Sequence, residues 1–170
     1  EQAVPQKLFA EHPEYFPLQG GKRVCKARSQ RCLSNPDVQK MVIDFGVSLA
    51  KYNTLFGIGF HDSTDGWCEC GECRKLGTYN GVYKLSTAAH RFAAKMTSEI
   101  LKRNPSAGGQ RILIYSDFRN PPDDPSIRYD GRVKALYCSH QRCYVHPLDD
   151  RSGSCNKKFH RELLEWRKHC

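Results

Sequence analysis

The sequence contains no apolar run approaching the roughly 20 residues that a membrane-spanning helix needs, so no segment is expected to cross a bilayer. It also lacks internal repeats, low-complexity stretches and any interdomain linker, which leaves one domain over residues 1–170. No nucleic-acid module signature is present. The formal net charge is +9, but the basic residues are scattered, from Lys22, Arg23, Lys26, Arg28 and Arg31 to Lys157, Lys158, Arg161, Arg167 and Lys168. Acidic residues interrupt them. The balance reads as a solvated basic surface that tolerates acidic polysaccharide, and a nucleic-acid partner is not expected. The chain opens at Glu1 with no visible signal peptide, which implies a removed leader or a piece of a longer protein.

What is present fits a folded domain. A hydrophobic fraction of 39% and an aromatic fraction of 11% suffice for a real core. Nine cysteines are many for this length, and an odd number cannot all pair within one chain. Disulfides of an oxidising compartment and thiolate metal sites both produce such counts.

Helix and strand signals alternate. Tyr15 to Val24, with Gly20-Gly21 at its centre, reads as a small hairpin. A helix follows, with Ser34 or Asn35 as cap, Pro36 in its first turn, and Val38, Met41, Val42, Phe45 and Leu49 at helical spacing. Thr54 to Phe60 is a buried strand, followed by a long loop from His61 to Asn80. Val82 to Arg103 is the strongest helix, stopped by Asn104-Pro105. Arg111 to Ser116 and Arg132 to Tyr137 are further strands, and Lys157 to His169 is a last helix. Helices separating short apolar strands predict an α/β fold of parallel β/α units. Either part (half) of a TIM-barrel-like structure or a small open α/β sheet would satisfy the pattern. In both, ligands bind at the carboxyl ends of the strands.

The segment His61–Cys73, HDSTDGWCECGEC, is the chemical centre of this map. Asp62 and Asp65 stand just past a strand end, where barrel enzymes keep acids, bases and nucleophiles. Either can equally cap a turn before Gly66. His61 and Trp67 flank them; a loop Trp can stack on a sugar ring or pack into the core. Cys68, Cys70 and Cys73 place three sulfurs in one loop. A tetrahedral zinc or an iron–sulfur cluster needs about four such ligands, and Cys138, Cys143 or His146 could supply the fourth. Disulfides tying this loop to the one around Cys138 and Cys143 are the alternative. No motif demands another cofactor.

The segments EHPEYFPLQGGKR, RCLSNPDV, STDGWCECGECR and CSHQRCYVHPL, with a late Trp166, resemble in order the bacterial family called domain of unknown function 4838. The resemblance spans nearly the whole chain. It implies a glycoside-hydrolase-like, α-glucuronidase-like β/α-barrel protein, secreted, periplasmic or on the cell surface. It also implies site roles for Asp65, for Cys68, Cys70 and Cys73, and for His146. Two departures stand out. Thr64 replaces a frequent Asn, and Gln141 stands where a carboxylate often precedes the second late cysteine, which weakens a two-carboxylate mechanism. The length suits about half a barrel.

Three functions follow as expectations. The first is a carbohydrate-active domain using Asp65 or Asp62, with His61, Trp67 and His146 contacting a polysaccharide or oligosaccharide. The second is a non-catalytic extracellular carbohydrate-binding or assembly module stapled by disulfides. The third is a thiolate metal-binding protein. Open strand edges predict association with a second copy or with a further chain segment.

Overall fold

The computed structural model describes residues 3–51, 56–57, 59–62, 66–149 and 155–170. The N-terminal segment carries two 3-10 turns, Gln6–Phe9 and Pro13–Tyr15, and a hairpin of β1 (Leu18–Gln19) and β2 (Lys22–Arg23). Gly20 and Gly21 make its turn with φ of +54° and +80°, values that side chains with a Cβ rarely adopt.

Helix α1 (Pro36–Ala50) starts as its sequence predicts. The Asn35 side chain accepts from the Asp37 and Val38 amides, and Pro36 opens the first turn. Strand β3 (Phe56–Gly57) follows. The stretch His61–Asn80 is more ordered than a plain loop: it holds helix α2 (Gly71–Gly77) and strand β4 (Thr78–Tyr79), which pairs antiparallel with β5 (Val82–Tyr83). The helix expected from Val82 therefore begins only at Leu85, as α3 (Leu85–Arg103). Gly77 explains the arrangement, since a Cβ there would meet the Tyr83 ring and the Lys84 carbonyl.

Strands β6 (Gln110–Ile114) and β7 (Val133–Tyr137) complete a parallel sheet of order β3-β6-β7, and α4 (Lys157–Trp166) follows β7. The register aligns Gln110 with Val133 and Ile114 with Tyr137. The fold is thus a small open α/β sheet, and no barrel closes among the described residues. None of the described helices is long and apolar enough to cross a membrane.

Helix α3 lies between two cores. Ala89, Phe92, Met96 and Ile100 pack with Ile43, Trp67 and Phe118 on one side. Ala93 packs with Ile112, Ile114, Tyr129, Val133 and Trp166 on the other. Each such large side chain contributes about 1.5–3 kcal/mol of burial. Gly46 lets α1 approach α3 closely, because a Cβ would strike Ile100. Strands β6 and β7 alternate strictly. Ile112 and Ile114 point inward, whereas Leu113 and Leu136 are 45% and 43% exposed, with Arg111 and Lys134 on the same bare face.

A buried polar post joins the sheet side to α3. The His90 ring, fully buried, donates from Nε2 to the Phe118 carbonyl (2.6 Å) and accepts at Nδ1 from the Tyr129 hydroxyl (2.8 Å). Burial drives its pKa down to about 4, so the ring is neutral.

Candidate metal centres

The carboxyl end of β3 opens into the loop that the sequence singled out. Gln30, almost wholly buried, clamps its base: Oε1 accepts from the His61 amide (2.9 Å) and Nε2 donates to the His61 carbonyl (2.6 Å). The hairpin grips its far side, with the Glu69 amide donating to the Leu18 carbonyl and the Gly20 amide to Glu69 Oε2. His61 is half-buried, and burial, then the Arg31 charge, lowers its pKa. Asp62 is exposed. The Tyr115 phenol, just past β6, is pushed up by burial and then by the charges of Asp62 and Cys138, which follow β3 and β7 at the same end of the parallel sheet. Asp65 lies outside the described residues.

Trp67 is a core residue, 8% exposed. Its ring packs against Phe60 and Phe118, and its indole N–H donates to Asp117 (3.1 Å). The expected role in sugar stacking gives way to the packing alternative, because the loop folds back over the first core.

The three clustered cysteines meet a fourth, and it is Cys32. Cys32 Sγ lies 3.7 Å from Cys68 Sγ and 3.8 Å from both Cys70 and Cys73 Sγ. All four sulfurs lie within 4.8 Å of one another, and Cys32, Cys68 and Cys73 are buried. The expected fourth ligands, Cys138, Cys143 and His146, belong elsewhere: Cys138 donates toward the Leu136 carbonyl, and the other two form a separate group. Nine free thiols stand where disulfides were an expectation, and separations of 3.7–3.8 Å are far beyond an S–S bond of about 2.05 Å.

Local structure aims these sulfurs. Cys32 sits in the turn before α1, held by its amide on the Tyr15 carbonyl. Cys70 is the N-cap of α2 and its sulfur accepts from the Cys73 amide (3.5 Å). Cys68 Sγ accepts from the Leu18 amide (3.3 Å) and from Arg23 (3.7 Å). The Ser34 hydroxyl lies 3.2 Å from Cys73 Sγ and 3.5 Å from Cys32 and Cys70 Sγ. Hydrogen bonds from Cys68 and Cys73 push the Cys32 thiol strongly down, towards thiolate. The hydrogen bond to Cys32 holds Cys68 up at about 11, and hydrogen bonds to Cys32 and Cys68, with burial, push Cys73 higher still.

A tetrahedron with metal–sulfur arms of about 2.3 Å has edges of about 3.8 Å. The observed separations match that edge, so these residues could hold one ion with four thiolates. An iron–sulfur cluster spreads its cysteines over separate irons and needs wider spacing.

A second group, Cys143, His146 and Cys155, gathers at the start of α4 with its donor atoms within 4.8 Å of one another. The His146 ring, then backbone hydrogen bonds from His146 and Val145, lower the Cys143 thiol to about 6.

Fold and site together define a cysteine-rich α/β domain with two groups of side chains that could hold a metal. The model of the family described as Domain of unknown function (DUF4838) matches residues 1–169. The chain belongs to that family. No curated protein and no solved structure matches it.

Proposed function

We propose that this chain is a zinc-stapled module in which Cys32, Cys68, Cys70 and Cys73 hold one structural Zn2+ as four thiolates. The observation that carries the reading is the 3.7–3.8 Å spacing of Cys32 Sγ from the other three sulfurs, together with the burial of three of the four residues. Bound there, zinc would supply a cross-link rather than chemistry, because all four positions are taken by protein. Cys32 would tie the N-terminal segment, and Cys68 with the hairpin would tie the loop, to the end of the sheet where His61 and Asp62 stand. Zinc suits four soft thiolates and is redox-silent. Elemental analysis of the purified chain tests this: a tightly held zinc that Cys32→Ser releases is expected. Metal-free wild-type protein that unfolds at the same temperature with and without added zinc would overturn it. A coloured protein carrying iron would replace zinc by iron at the same site.

A second reading is the carbohydrate-active one, in a secreted or surface protein. Asp62 is exposed just past β3, at the carboxyl end of the sheet, where α/β folds bind ligands, which supports it. A glycan-binding screen with Asp62→Asn as control tests it, and a wild-type chain that neither binds nor cleaves any glycan would remove it. In this reading the bare face of Leu113 and Leu136 and the outer edge of β7 would be covered by a second copy as part of a larger sheet. A monomer by light scattering would count against that assembly.

A further inference from the structure

Beyond the four-cysteine centre, we infer that Cys143, His146 and Cys155 form a second zinc site, with three ligands among the described residues. Cys143 Sγ lies 3.2 Å and Cys155 Sγ 3.6 Å from His146 Nδ1. A tetrahedral zinc with Zn–S of about 2.3 Å and Zn–N of about 2.0–2.1 Å separates sulfur from nitrogen by about 3.5 Å. The spacing therefore suits one ion without rearrangement.

The ligands are held by a buried post. Asn156 is 1% exposed, and its side-chain oxygen and nitrogen both bond to the turn that carries two of them. Oδ1 accepts from the Cys143 amide (2.9 Å), and Nδ2 donates to the carbonyls of Cys143, His146 and Pro147 (3.0 Å each). Cys155 is the residue immediately before Asn156, so one side chain fixes all three ligands relative to one another. A surface turn has no folding need for so complete a clamp, whereas a metal site does, since ligand orientation sets affinity. Helix α4 begins at Lys157, and the positive end of its dipole favours thiolates at this place.

The two centres differ in ligand completeness. The buried one has four thiolates. The exposed one has three donors among the described residues, with His146 and Cys155 at the surface. Three protein ligands with the fourth position left to water or another small donor is the arrangement of zinc sites that bind or activate a ligand.

The experiment is a zinc titration of the reduced, metal-free full chain with a thiol-alkylation map read by mass spectrometry. Two zinc equivalents are expected, one of which a mild chelator removes much faster. Zinc should protect Cys143 and Cys155 from alkylation together. His146→Ala and Cys155→Ser should each abolish the fast equivalent and leave the slow one. Asn156→Ala should weaken the fast one by about 10–100-fold. Equal alkylation of Cys143 and Cys155 with and without zinc would overturn the site, and so would a mass showing them joined as a disulfide in the purified chain before reduction. The wild-type map decides the question even if a variant fails to fold. Failure of the buried centre would be read separately, at Cys32, Cys68, Cys70 and Cys73.

Discussion

The two sulfur clusters are built from the same chemistry and placed in opposite surroundings. Cys32, Cys68 and Cys73 sit inside the first core, beside Trp67, Phe92 and Phe118, and draw ligands 36 to 41 residues apart in sequence. Cys143, His146 and Cys155 lie at the surface within a short stretch, braced by one asparagine. An ion in the first cluster would join segments that otherwise meet through packing and a few hydrogen bonds. An ion in the second would add little to a turn already held by Asn156. The contrast teaches that ligand type alone does not separate a stapling site from an exchangeable one; burial and chain separation do.

The largest expected effect breaks the buried centre. Cys73→Ser should release its ion and destabilise the zinc-loaded chain by about 4 kcal/mol or more, given a metal concentration near a thousand times its dissociation constant. Thermal denaturation with and without zinc measures this. Cys155→Ser at the surface should cost under about 1 kcal/mol in the same assay. If the two losses were equal, the contrast would fail.

Acid separates metal loss from the background of the core. The His90 pKa is depressed in the folded chain to about 4, from an ordinary 6.5. The unfolded chain therefore binds the proton first, and stability falls as pH drops from 6.5 to 4, by about 3 kcal/mol in all. Urea denaturation of metal-free protein should show this slope, and His90→Gln should flatten it. Zinc uptake at neutral pH should release at least one proton each from Cys68 and Cys73, whose thiols are held up in the metal-free cluster. A pH-stat titration that records no release would contradict that protonation pattern.

Smaller effects sharpen the comparison. Asn156→Ala should cost about 1–3 kcal/mol, because it orphans the Cys143 amide, and should leave the buried centre intact by alkylation mapping. Ser34→Ala removes the hydroxyl beside three sulfurs and should cost about 1 kcal/mol in the zinc-loaded form. Lys75→Ala breaks an exposed pair with Glu72 and should change denaturation by under about 0.5 kcal/mol.

Much of the frame is legible in the sequence because local rules act alone there. Asn35-Pro36 starts α1, Gly20-Gly21 turns the hairpin, and short apolar runs mark β6 and β7. The short elements between His61 and Leu85 are not legible, since α2 is only seven residues long and gains its stability from packing on α3. The fate of Trp67 is illegible for a related reason: whether a loop ring packs inward depends on Phe118, distant in sequence, as well as on nearby Phe60. The fourth ligand had a usable signal. A helix feeding a parallel strand runs antiparallel to it, so residues just before α1 fall at the carboxyl end of β3. That rule puts Cys32 beside Cys68, whereas Cys138 and Cys143 compete on spacing alone.

The separation of Cys32 from the other three cysteines carries a kinetic consequence. Cys68, Cys70 and Cys73 occupy six consecutive residues, and closing so short a loop takes about 10–100 ns. Bringing in Cys32 closes a loop of 36 residues, an ordering cost of about 4 kcal/mol by polymer statistics. A free ion would thus be captured first as a three-coordinate intermediate on the nascent loop. The fourth thiolate would arrive only when the start of α1 docks, so the last bond to the metal would report, on the clock of folding, the moment at which the N-terminal segment joins the domain.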